Sequence, residues 1–245
     1  LDGPIVDRCG HSCAAGSISP KTLGGRCLQE CGPPFTGVCR SGKRVGEMWR
    51  PPPGSRPVPI PRSLATMRVI AGTHRGRRLR APDTPGTRPV TDRVKESIFS
   101  SLGPEVAGAV VADLYAGAGS FGIEAISRGA TRVTFVEVAR PAVQALQENL
   151  AALSMAGELV VTEVDRFLAR PGERFDVVFC DPPWPLPSAE LQAILEKLLD
   201  RLSDEAVVVV TRRSSDPIPL PLGYLIEDER RFGDTRIIRY RKESA

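Results

Sequence analysis

From Ala109 to Thr211 the chain alternates short, almost wholly apolar runs with longer amphipathic ones. That alternation leaves few folds open. The apolar runs are Ala109–Tyr115, Arg132–Glu137, Leu159–Val164, Phe175–Cys180 and Ala206–Thr211. They lack the polar-every-second-residue pattern of a strand with one wet face, so both faces must be covered. Between them, helices are expected over Ser120–Arg128, Pro141–Leu153 and Ala189–Leu202, with Pro141 in a first turn and Leu191, Ile194, Leu195, Leu198 and Leu199 on one side. Strands joined by crossover helices run parallel, which gives an α/β sheet covered on both faces. The end differs: Leu222–Arg231 and Arg236–Arg241 flank Gly233-Asp234 and read as an antiparallel hairpin closing a seven-stranded, mostly parallel sheet.

The 245 residues allow one good-sized domain with an appendage. No run of about 18 apolar residues is present and no apolar leader opens the chain, so neither a membrane span nor a secretory signal is expected. Charge is sorted along the chain. Residues 1–66 carry nine Lys/Arg against four Asp/Glu, residues 67–95 eight against two, and residues 96–245 sixteen against twenty-three. An acidic body with a basic front fits a polyanionic partner, because neutralising phosphates releases counterions. Residues 1–66 hold ten Pro and ten Gly with no apolar periodicity. They are expected to be a disordered extension, either a basic arm or a misplaced start, since Met67 directly precedes the first orderly pattern. Five of six cysteines fall in the first 39 residues, but the Cys9-x3-Cys13 and Cys27-x3-Cys31 spacings are not those of a common zinc site, and no metal is expected. Cys180 reads as a small buried hydrophobe, and the body as cytosolic.

Residues 67–104 form a front segment, and 105–245 the main domain. Met67–Gly72 and Arg77–Ala81 suggest a small N-terminal β-hairpin turning at Thr73-His-Arg-Gly. Thr91 is a good N-cap for a helix over Asp92–Leu102, with Val94, Ile98 and Leu102 on one face.

Four stretches carry chemistry. Gly117-x-Gly119-x-x-Gly122 follows the first main strand and opens a helix, as a turn needing positive φ and close ligand approach requires. Glu137 ends the second strand, where a carboxylate can accept hydrogen bonds from a ribose diol. Together they suit either a dinucleotide or an adenosyl-methionine. Asp113, just before the turn, would repel a pyrophosphate but tolerate an ammonium or sulfonium. Asp165, after the third strand, could accept from an adenine amine, or could cap the helix that follows. Finally, Asp181-Pro182-Pro183-Trp184 ends the fourth strand on the same edge of the sheet. An exocyclic base amine is a weak nucleophile because its lone pair is delocalised into the ring. The Asp181 carboxylate and the Pro182 carbonyl can each take one N–H and so aim the lone pair at a methyl group. Trp184 offers a face for stacking.

With these motifs the chain resembles the class I adenosyl-methionine-dependent methyltransferases: "DLYAGAGSFGIEA", "FVE", "VDRF" and "DPPW" occur in order. "MRVIAGTHRGRRLRAPDTPGTRPVTDRVKESIFSSL" is similar to the start of the bacterial RsmD family, which methylates guanine N2 in 16S ribosomal RNA. The likeness covers about residues 67–242. It implies a Rossmann-like fold and S-adenosyl-L-methionine held by Asp113, Ala116, Gly117, Gly119, Glu137, Asp165 and Arg166. Arg88 and Thr91, in the segment Thr87–Thr91, would cover the methionine end. It further implies Asp181, Pro182, Pro183 and Trp184 as the base-holding catalytic group. Arg68, His74, Arg75, Arg77, Arg78 and Arg80 would grip RNA phosphates. The implied partner is the assembling small subunit, and the protein is expected to act as a cytoplasmic monomer. A DNA adenine-N6 methyltransferase would share the DPPW chemistry but would need a target-recognition region for which the body has little room. An NAD-dependent oxidoreductase would share the glycine turn and Glu137 but leaves DPPW unexplained. A non-catalytic RNA-binding module would take up RNA without the cofactor.

Overall fold

The computed structural model describes residues 48–49, 67–82 and 90–243. The N-terminal cysteines, all of the extension except residues 48–49, and Arg88 lie outside the described residues. The central sheet has eight strands. The sequence reading supplies seven of them: β4 (Val110–Leu114), β5 (Arg132–Glu137), β6 (Gly157–Val161), β7 (Phe175–Cys180), β8 (Leu202–Arg213), β9 (Tyr224–Phe232) and β10 (Thr235–Lys242). The eighth, β1 (Met48–Trp49), is a two-residue strand antiparallel to β6 at the sheet's edge. The order is β1-β6-β5-β4-β7-β8-β10-β9. β6, β5, β4, β7 and β8 run parallel, and β10 inserts antiparallel between β8 and β9.

Successive side chains along each strand enter opposite layers, as a pleat demands. Val177 and Phe179 of β7 join the layer under α1 (Asp92–Leu102), α2 (Ser120–Ser127) and α3 (Arg140–Leu153). Val178 and Cys180 join the layer under α4 (Val164–Leu168) and α5 (Ser188–Leu198). Phe179 stacks on Phe121 with ring centroids 5.2 Å apart, tying β7 to α2. A fully buried ring of this kind contributes about 1.5–3 kcal/mol.

Several boundaries differ from expectation, the front strands among them, which are shorter than Met67–Gly72 and Arg77–Ala81. The third main strand is Gly157–Val161, not Leu159–Val164, and Val164 begins α4. Its branched side chain suits a strand, yet its burial in the second layer is satisfied equally well from a helix. The strand can start at Gly157 because a Cβ there would lie 2.6 Å from Phe135 Cε2. The last helix stops at Leu198, passes through a 3-10 turn, and gives Leu202 to a twelve-residue strand.

The front hairpin has two short strands, β2 (Met67–Arg68) and β3 (Arg78–Leu79). The Thr91 side chain caps α1 by accepting from Val94 N–H at 3.4 Å. Among the described residues no helix is long and apolar enough to cross a membrane.

Candidate active site

The chain runs β4, β5, β6 outward on one side, then returns to place β7 on the other side of β4. Ligands of open α/β sheets collect at such a reversal, beyond the carboxyl ends of the strands. Leu114 of β4 and Cys180 of β7 are register partners, so the residues that follow them, the glycine turn and Asp181, are neighbours. Asp181 N–H donates to Leu114 O, 3.4 Å away.

At the end of β4 the backbone turns sharply. Tyr115 has φ 61°, a conformation that side chains other than glycine rarely adopt, and Gly119 has φ 82°. A Cβ on Gly119 would lie 2.3 Å from Leu146 Cδ1, so this glycine is required by packing as well as by φ. Gly117 is different: its Cβ direction meets nothing within 4 Å, which leaves the backbone there open to a ligand. Ala116 is buried and anchors the turn by donating its N–H to Val136 O at 3.0 Å.

Asp113 lies beneath this turn, fully buried. Its Oδ2 accepts from Gly122 N–H at 2.8 Å, while Oδ1 has no hydrogen-bond partner. Burial holds its carboxyl well above the usual range, opposed by the Gly122 bond and reinforced by the charges of Asp181 and Glu137. A buried acid with one orphaned oxygen is suited to an ammonium or sulfonium and unsuited to a pyrophosphate. Glu137 accepts from Gly117 N–H through Oε2, and from Val138 and Ala139 N–H through Oε1, each at 2.8 Å. The carboxylate is therefore held by the glycine turn and the start of α3, and a ribose hydroxyl would share Oε2 rather than find both oxygens open.

Asp165 is in the first turn of α4, where Glu163 is the N-cap residue, and its carboxylate pairs with Lys197 of α5. Arg166 faces Glu163 at 3.6 Å and is largely exposed. Sequence reasoning missed Val138 and Val161, which are 54% and 40% exposed at the ends of β5 and β6. Val161 is the register partner of Glu137, so the two valines offer an apolar surface beside that acid. The signal was present as an apolar residue at the last position of β6 and just past the end of β5.

Beyond β7 the chain makes a tight turn. Pro182 is buried, Pro183 is exposed, and the Pro183 carbonyl accepts from Leu186 N–H at 2.9 Å. Asp181 and Trp184 line a cavity of about 40 Å³ together with Val90, Thr91 and Val94 of the α1 entrance, Thr211 of β8 and Thr235 of β10. That volume holds about three waters. Burial raises the Asp181 pKa to about 6, and a hydrogen bond from Thr211 Oγ1 opposes the rise. The Trp184 ring carries the Arg213 guanidinium, 4.5 Å from its centroid. On the α1 side, Arg93 lies 5.6 Å from the centre of the Phe232 ring.

The front hairpin docks on the body through groups that no motif revealed. Glu124, fully buried on α2, accepts from Ile70 and Ala71 N–H and from Arg128 Nε, and faces Lys95 Nζ at 3.4 Å. Asn149 holds the other strand through Arg80 N–H and O. Several of the six expected RNA-gripping residues spend contacts on this docking or beside it. Arg68 pairs with Asp92, Arg77 donates to Ala152 O, and Arg80 pairs with Glu148. Arg68 and Arg80 still keep 58% and 47% of their side chains exposed. His74 is held by Thr73 Oγ1 and Ser127 Oγ, and Arg75 and Arg78 are exposed on the outer surface.

The family model described as Conserved hypothetical protein 95 matches residues 67–241. The Ribosomal RNA small subunit methyltransferase D of Escherichia coli (strain K12) is 36% identical over 182 residues, spanning 73% of this chain and 91% of that protein. Its counterpart in Haemophilus influenzae is 34% identical over 189 residues, 75% of this chain and 96% of the relative. A solved structure assigned as a methyltransferase from Escherichia coli superposes with a TM-score of 0.66 at 33% identity, covering 73% of this chain and 99% of that one.

Proposed function

Since the chain belongs to the Conserved hypothetical protein 95 family, that of Ribosomal RNA small subunit methyltransferase D, we propose that it methylates the exocyclic N2 amine of a guanine in 16S ribosomal RNA. The observation that carries this reading is the adjacency of two carboxylates with different tasks. Asp113 under the glycine turn has an unpartnered oxygen suited to a cation, and Asp181, one strand over, lines a cavity with an indole.

The donor is S-adenosyl-L-methionine. Its ammonium fits the Asp113 edge, its ribose the Glu137 edge, and its adenine the apolar surface of Val138 and Val161 near Asp165. When bound, it supplies an electrophilic methyl and takes back the electron pair of the broken S–C bond. The chain's own residues prepare the nucleophile. Asp181 accepts one N–H of the amine, and the Pro182 carbonyl a second. That fixes the nitrogen lone pair along one direction and stabilises the charge it gains. As the N–C bond forms, the amine gives up one proton. A carboxylate with a pKa near 6 can take that proton and return it to water. The base must leave its stack to reach this cavity and would lie against Trp184.

Arg75 and Arg78 on the hairpin, with Arg93 in the first turn of α1 and Arg213 over the Trp184 ring, would meet phosphates on either side of the target. On β8, β9 and β10, Arg212, Arg230, Arg231, Arg236, Arg239 and Arg241 each face a carboxylate, and Arg213 forms no ion pair with a described residue. The reading includes an assembling small subunit as substrate, with the enzyme acting as a cytoplasmic monomer. The test is to incubate the protein with labelled S-adenosyl-methionine and small subunits from cells lacking this activity, then identify the labelled nucleoside. N2-methylguanosine supports the assignment. N6-methyladenosine, or no label with cofactor binding intact, overturns it.

A further inference from the structure

We propose that Thr211 is a positioning residue for methyl transfer, locking the Asp181 carboxylate so that one oxygen faces the cavity and the amine. This deepens the reading of Asp181 as the amine's acceptor and rests on it. β7 and β8 are parallel, with Cys180 opposite Val210, so the next residue on each strand is Asp181 and Thr211. Along β8, Val207 and Val209 fill the layer under α1, and Thr211 continues that face to the strand end. A third valine would have packed there. Instead a hydroxyl, 4% exposed, donates to Asp181 Oδ1, and both residues line the cavity.

A free carboxylate turns about its Cβ–Cγ bond and offers either oxygen in any direction. With Oδ1 bound by Thr211, rotation is arrested and Oδ2 is left to accept the N–H. Among the described residues no cation bonded to Asp181 does this instead. The ionisable groups around it are the Cys180 thiol on its own strand and Asp113 on β4, both of which are disfavoured from ionising by burial. Arg212, beside Thr211, turns away to Asp216 and the Leu186 carbonyl. The α1 entrance presents Val90, Thr91 and Val94, and β10 presents Thr235. The hydroxyl is thus the group that favours the ionised form of Asp181 against burial.

The variants are Thr211→Val, which keeps the branched shape without the donor, and Thr211→Ser, which keeps the donor. Two measurements apply to the full chain: the Asp181 titration by carbon-detected NMR, without substrate, and methyl transfer to small subunits from pH 5 to 9. In Thr211→Val the Asp181 pKa should rise above its wild-type value. kcat should fall about tenfold or more at pH 7, the loss expected when a hydrogen bond to a charged group is removed. Cofactor Kd should stay within about twofold, and Thr211→Ser should recover most of the rate, since it restores only the donor. An unmoved Asp181 titration in Thr211→Val, or equal rates for the Val and Ser variants, overturns the proposal. A raised Asp181 pKa in Thr211→Val, with wild-type protein making no N2-methylguanosine, supports the contact and sinks only the assigned reaction.

Discussion

Glu124 is the residue whose loss should most cleanly separate RNA binding from cofactor binding. Its side chain is fully buried. It accepts from Ile70 N–H at 2.7 Å and Ala71 N–H at 2.9 Å on the front hairpin, and from Arg128 Nε at 2.8 Å on its own helix. Lys95, also buried, lies 3.4 Å away and donates to the Arg68 carbonyl, again on the hairpin. Glu124→Ala would strand two backbone donors and leave Lys95 without its counter-charge. Breaking a buried ion pair in this way costs about 3–5 kcal/mol. The lost contacts join the hairpin to α2, so the cost should fall on docking rather than on the whole sheet. A docking loss of about 3 kcal/mol corresponds to roughly 100-fold faster hydrogen exchange at the Ile70 and Ala71 amides, with strand β4 amides little changed. RNA affinity should fall while S-adenosyl-methionine affinity holds, because Asp113 and Glu137 are untouched. The double variant Lys95→Met, Glu124→Leu should recover part of the loss, since it removes the stranded charge. Unchanged exchange at Ile70 and Ala71 in Glu124→Ala would refute the docking argument.

Asp181→Ala should bind cofactor normally and transfer no measurable methyl, as paired calorimetry and labelling assays would read. In wild-type protein, kcat/KM should drop about tenfold between pH 7 and pH 5, because Asp181 accepts the amine only when ionised and its pKa is about 6. The stability sign is opposite: a folded pKa raised above the unfolded one stabilises below the unfolded value, and that contribution is lost as pH rises through about 6. Denaturation midpoints across that window would report it. Reversing Arg75, Arg93 and Arg213 to Glu should weaken RNA binding and reduce its salt slope by about one for each lost phosphate contact. Gly119→Ala should destabilise by about 2–4 kcal/mol, read by denaturant titration, because a left-handed φ and a collision with buried Leu146 combine.

Much of the fold was legible because its signals are local. Apolar runs without alternation dictated a doubly covered parallel sheet, and Thr91 and Pro141 marked helix starts that the chain uses. The glycine spacing, Asp113, Glu137 and Asp181 could be placed on one sheet edge, since strand-end positions follow from the strands themselves. What only the tertiary structure decided was how those residues are held. Glu137 gives three of its acceptor positions to backbone N–H groups, which no local pattern announces. The acid of "FGIEA", Glu124, is the buried anchor of the hairpin, a role no local pattern announces, because Ile70 and Ala71 come from 54 and 53 residues away. Thr211 reads as one more branched strand residue until β8 is laid beside β7 and its hydroxyl meets Asp181. Propensity and periodicity act over one turn or one strand. Hydrogen bonds between strands and layers depend on register and topology, and those exist only once the chain has folded.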